Sequence, residues 1–164
     1  MRLKQLVISW DIWAAIATAI PTNVLLPAYI SIYFCKDAYF VGITVLSIIF
    51  AIFLASVSII MASTDDNFVC FLEERGHYTT LINTFRYTLI LLFLSLLISM
   101  ALYFYTTFLM SQALLVQTKW LFTLFIFTAS YALFAVCISS VETLTYSKYR
   151  TQFLRIERSK DEQA

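Results

Sequence analysis

Few residues in this chain have the types and spacing that chemistry requires. The single histidine, His77, follows Glu73 and Glu74 by four and three residues, a spacing that gathers an imidazole and two carboxylates on one helix face, as acid–base chemistry would need. Such triplets are common by chance, and a solvated or structural role is the expectation. No G-x-S-x-G, H-E-x-x-H or glycine-rich phosphate loop occurs, so no nucleophile, metal-water or phosphate chemistry is encoded locally. The three cysteines, Cys35, Cys70 and Cys137, are odd in number and lack a C-x-x-C pair, which argues against a thiol oxidoreductase and against zinc. They read as small apolar fillers, with Cys35 alone placed to cross-link subunits. The chain is therefore expected to be a non-enzyme, with no catalytic residues, no cofactor and no metal.

The elements that carry these residues are dictated by composition. Of 164 residues, 61% are hydrophobic and 13% charged, about half the charged fraction of ordinary soluble domains, ~25%. A core of this length cannot hide that much apolar surface, and the implied solvent is hydrocarbon. A bilayer of about 30 Å needs roughly 20 apolar residues in a helix, because backbone groups left unbonded there are too costly. Four stretches qualify: 12–34, 38–62, 87–110 and 120–141, none holding Asp, Glu, Lys, Arg or His. The expectation is an all-α, single-domain integral membrane four-helix bundle, with a loop at 63–86 and a helical tail at 142–164. The first apolar run is too long for a cleavable signal and is expected to stay as an anchor.

Orientation follows from Lys and Arg in the short connections. Arg2, Lys4, Arg75, Arg86, Lys148, Arg150, Arg155, Arg158 and Lys160 fall on one side, and Lys36 and Lys119 on the other. Both termini and the central loop are thus expected in the cytoplasm, with a tight turn at 35–37 and a loop at 111–119 outside. Trp10, Trp13, Trp120, Tyr39 and Tyr87 are expected at the two interfaces. Pro21 and Pro27 each remove a backbone donor from the first span, which kinks it or breaks it near Thr22 and Asn23. Ser47, Ala51 and Ala55 recur every four residues, the pattern that lets helices approach closely in lipid, and a homo-oligomer is expected. Net charge is +1, so no direct nucleic-acid contact is expected.

Two segments are expected to carry function. In the loop, Ser63 to Asp66 are helix-capping types, Phe68, Phe71 and Leu72 form an apolar stripe facing away from Glu73 and Glu74, and Gly76 can close the helix. In the tail, Tyr146, Tyr149, Phe153 and Ile156 recur at helical spacing, flanked by Lys148, Arg150, Arg155 and Arg158. These amphipathic faces read either as lying on the inner membrane surface or as docking a soluble cytoplasmic protein. The candidate partner-binding residues are Phe68, Phe71, Leu72, Glu73, Glu74, Arg75, Tyr149, Arg150, Phe153 and Arg155.

This four-span layout, with D-D-N-F-V-C-F-L-E-E-R-G-H-Y-T-T-L-I at 65–82, resembles the small membrane components of bacterial anti-phage systems over most of the chain. The likeness is to the membrane subunit of the Kiwa system and, more loosely, to the phage exclusion protein that acts as an ion channel. The first resemblance implies an inner-membrane homo-oligomer that senses attack and recruits a soluble DNA-binding effector through the residues just named. The second implies an oligomeric pore that depolarises the cell, with Asn23, Thr18 and Ser99 as candidate lining.

Overall fold

The computed structural model describes residues 10–62, 66–73 and 77–161. Within these residues, five helices and two short strands follow in order: α1 (Trp10–Leu25), β1 (Tyr29–Ser31), α2 (Ile32–Ala62), α3 (Asp66–Glu73), α4 (His77–Ser111), β2 (Val116–Thr118) and α5 (Lys119–Asp161). Among the described residues, three helical stretches are long and apolar enough to cross a membrane: Ile32–Ala62, Tyr78–Ser111 and Lys119–Arg155, with mean hydropathies of 2.7, 2.2 and 2.2. Their outer faces are apolar too, with Phe40, Ile48, Ile52, Phe93 and Phe104 all exposed, the surface that a hydrocarbon solvent favours.

Packing is set by a seven-residue rhythm. Along α4 the buried positions are Leu81, Phe85, Thr88, Leu92, Ser95, Ser99, Leu102 and Thr106, alternating steps of four and three. Ile32, Tyr39, Leu46 and Phe53 on α2, and Phe125, Ala132, Ser139 and Tyr146 on α5, repeat every seven. A 3.5-residue period keeps one seam facing the neighbouring helix along its whole length, so α4 packs along both α2 and α5. α1 packs along α5.

The first apolar run is not one helix. α1 continues through Pro21, where Thr18 Oγ1 donates to the Ala15 carbonyl and Thr22 Oγ1 to the Thr18 carbonyl (both 2.8 Å). It stops at Leu25, two residues before Pro27, because Pro27 offers no N–H and its ring disfavours helix at Leu26. The break thus falls beyond Thr22 and Asn23. Over its 16 described residues, α1 is about 24 Å long.

The chain then forms β1, paired antiparallel with β2 as Tyr29↔Thr118, Ile30↔Gln117 and Ser31↔Val116. Flanking bonds from Ile32 N to the Leu115 carbonyl (3.1 Å) and from Lys119 N to the Ala28 carbonyl (3.2 Å) extend the ribbon. The tight turn expected at 35–37 does not exist: those residues lie inside α2, because the ribbon has already reversed the chain and satisfied its backbone. Cys35 is consequently buried in the bundle, where it cannot reach a second subunit.

Of the residues expected at interfaces, Trp10, Trp13 and Trp120 are exposed, whereas Tyr39 is fully buried. Tyr39 Oη accepts from Gln117 Nε2 (3.2 Å), and Gln117 Oε1 accepts from Thr106 Oγ1 (3.1 Å). This network holds the ribbon against α2 and α4. Tyr87 shares a hydrogen bond with Tyr131 of α5.

Candidate functional site

At the end of the bundle opposite the ribbon, α3, the first turns of α4 and the last turns of α5 form a head. α5 is 43 residues long, about 64 Å at 1.5 Å per residue, so it outruns a bilayer core by several turns. α3 is a two-turn amphipathic helix, and its apolar stripe is turned inward. Phe68 and Leu72 are 3% and 2% exposed. The Phe68 ring meets Tyr146 edge-on at 5.3 Å and lies 5.4 Å from Phe153, which is itself 5.5 Å from Phe71.

The two stripes, read from the sequence as faces for the membrane surface or for a soluble partner, pack against each other. Each helix alone would leave a row of aromatic rings in water, and pairing removes both rows at once. Phe71, Tyr149 and Phe153 are half-buried in this cluster. Glu73, expected to meet a partner, is bonded within the chain: Thr79 Oγ1 donates to Oε1 (2.7 Å) and Thr79 N to Oε2 (3.3 Å). It thereby caps a free amide in the first turn of α4, where a negative charge also suits the helix dipole. Arg150 and Arg155 remain exposed, as does Lys148. Glu74 and Arg75 lie outside the described residues.

The helix-packing residues also point elsewhere. Ala51 and Ala55 are exposed and Ser47 half-buried, because α2 meets α4 through Leu46, Phe53 and Val57. The small-residue face is turned away from the bundle. The three candidate pore-lining residues share no channel within one chain. Thr18 bonds back to its own helix, Asn23 donates to Thr123 of α5 (3.3 Å), and Ser99 is buried, donating to the Ser95 carbonyl (2.8 Å).

Two carboxylates just beyond the expected span limits are drawn into the protein. Asp11, in the first turn of α1, is 3% exposed; its Oδ1 accepts from Ile12 N (3.1 Å). Glu142, on α5, lines a cavity of about 190 Å³ with Leu72, Thr80, Leu81, Thr145, Tyr146 and Tyr149. Its Oε2 is buried without a hydrogen-bond partner.

Both lie just outside the apolar runs, which is why hydropathy alone did not single them out. The signal was nonetheless present. Glu142 falls on the α5 face of Tyr149, two helical turns earlier, and Asp11 directly precedes the run. Among the described residues no three His, Cys, Asp or Glu side chains come together to hold a metal ion. No protein-family profile, curated protein or solved structure matches this chain at a significant level.

Proposed function

We propose that this chain is a multi-pass bacterial inner-membrane protein, four-spanning with both termini cytoplasmic, that acts without catalysis as a docking platform for a soluble protein. The observation that carries this reading is the head. The α5 extension is braced by the Phe68–Phe71–Phe153 cluster, which leaves Lys148, Arg150 and Arg155 exposed on it together with Leu154.

A helix held on one face and basic on another gives a partner a pre-ordered surface, so binding costs little conformational entropy. Charge complementarity then selects an acidic partner and speeds its capture. The outward face of α2, with Ala51 and Ala55, is suited to contact between copies in a homo-oligomer. The resemblance to anti-phage membrane subunits points the same way, toward a sensor that recruits a cytoplasmic effector.

The test is affinity capture of the tagged full chain in mild detergent from its native host, beside Arg150→Glu/Arg155→Glu. A soluble protein retained by the wild type and lost by the variant supports the platform. Identical captures, or a bare membrane protein in both, reject it. Ion leakage from liposomes holding the purified chain alone would favour the pore instead.

A further inference from the structure

The cavity beside Glu142 has no part in the docking surface, and its chemistry is specific. A carboxylate oxygen removed from water without a donor is costly and calls for a compensating positive group. The other walls define what that group can be. Tyr146 and Tyr149 place aromatic side chains around the space, Thr80 and Thr145 line its polar side, and Leu72 and Leu81 supply an apolar floor. At about 190 Å³, the space is below the ~300–1,000 Å³ of pockets for drug-sized ligands. Glu142 directly follows Val141, the last residue of the apolar run read from the sequence, a position where a lipid headgroup can reach it.

We propose that this cavity binds a primary ammonium group, through an N–H donated to the Glu142 carboxylate, with the tyrosine side chains beside the cation. The ammonium is carried by an ethanolamine-headgroup phospholipid or by a small free amine. An ammonium carries three donors on a compact charge, so the Glu142 carboxylate and the Thr145 hydroxyl, which itself donates to the Val141 carbonyl, can both accept from it, and aromatic faces attract such cations electrostatically. A phosphate or carboxylate would meet Glu142 with like charge.

The full-length protein in nanodiscs provides the test. In mixed ethanolamine and glycerol phospholipids of the same acyl chains, native mass spectrometry should show ethanolamine lipid retained about ten- to a hundredfold in preference, the worth of one hydrogen bond to a charged group. Glu142→Gln should abolish the preference. Thr145→Phe, which fills the space from its exposed side and leaves the carboxylate in place, should abolish it as well, so the outcome does not hang on one variant folding. In nanodiscs of glycerol lipid only, added ethanolamine should raise the melting temperature of the wild type and not of Glu142→Gln. A lipid preference identifies the headgroup as the source, and an ethanolamine response without it identifies a free amine. Neither response, or a preference that survives both substitutions, overturns the proposal.

Discussion

Gly42 of α2 faces the ring of Phe125 of α5 so closely that a Cβ at position 42 would overlap the ring edge. The ring has nowhere to retreat, because Tyr39 packs edge-on against it at 5.0 Å and Phe122 lies 6.1 Å away. Gly42→Ala should therefore destabilise the bundle by about 1–3 kcal/mol, the usual cost of overpacking. Combining it with Phe125→Leu should recover much of that loss. Helicity followed during titration from mild detergent into SDS measures both, and equal stability of wild type and Gly42→Ala would contradict the close approach.

Thr88 Oγ1 of α4 and Ser139 Oγ of α5 form a buried hydrogen bond of 2.5 Å. Removing one hydroxyl strands the other, whereas removing both leaves nothing unsatisfied. Thr88→Val and Ser139→Ala should each cost about 1 kcal/mol, within the range found for helix contacts in membranes. The double variant should lose less than the sum. Strictly additive losses in the same unfolding assay would show that the two hydroxyls act independently.

Ala113 is the one non-glycine residue with positive φ, 59°, among those described. It terminates α4: Ala113 N donates to the Met110 carbonyl (3.0 Å) and Leu114 N to the Leu109 carbonyl (3.3 Å). This paired closure of a helix end favours glycine, since a Cβ in the left-handed region is strained. Ala113→Gly should raise stability by about 1 kcal/mol, read as a higher melting temperature. A lower one would mean that the turn adopts another conformation.

Phe68→Ala removes the ring shared by Tyr146, Phe71 and Phe153. The expected loss is about 3 kcal/mol of local stability, as for buried Phe elsewhere. Hydrogen exchange should accelerate in α3 and the last turns of α5 while the helices beyond Leu92 and before Ser139 keep their protection. Acceleration throughout the bundle would show that the head is not a separate cooperative unit.

Much of the architecture is written in local pattern. Long uninterrupted apolar runs leave the backbone no partner but itself, so α2, α4 and the first half of α5 follow from composition alone. The capping types before Asp66, the stripe in α3 and the helical spacing of Tyr146, Tyr149 and Phe153 likewise identify amphipathic helices. Even the seams of the bundle are legible as seven-residue steps, among them Thr88 to Ser95 and Ser99 to Thr106, because packing of near-parallel helices imposes that period.

Which surfaces those patterns would meet was decided only by the tertiary structure. An amphipathic stripe states that it needs cover, and the covering face is a long-range fact: α3 and the α5 tail pack on one another, which buries Phe68 and Leu72, half-buries Phe71, Tyr149 and Phe153, and leaves Arg150 and Arg155 exposed. The ribbon between residues 29–31 and 116–118 pairs segments far apart in the chain, which moved the chain reversal from 35–37 back to Pro27 and buried Cys35. Burial of the Asp11 and Glu142 carboxyl groups has the same origin. Each lies at the edge of an apolar run, and whether such a group meets water or protein depends on the helix packed beside it.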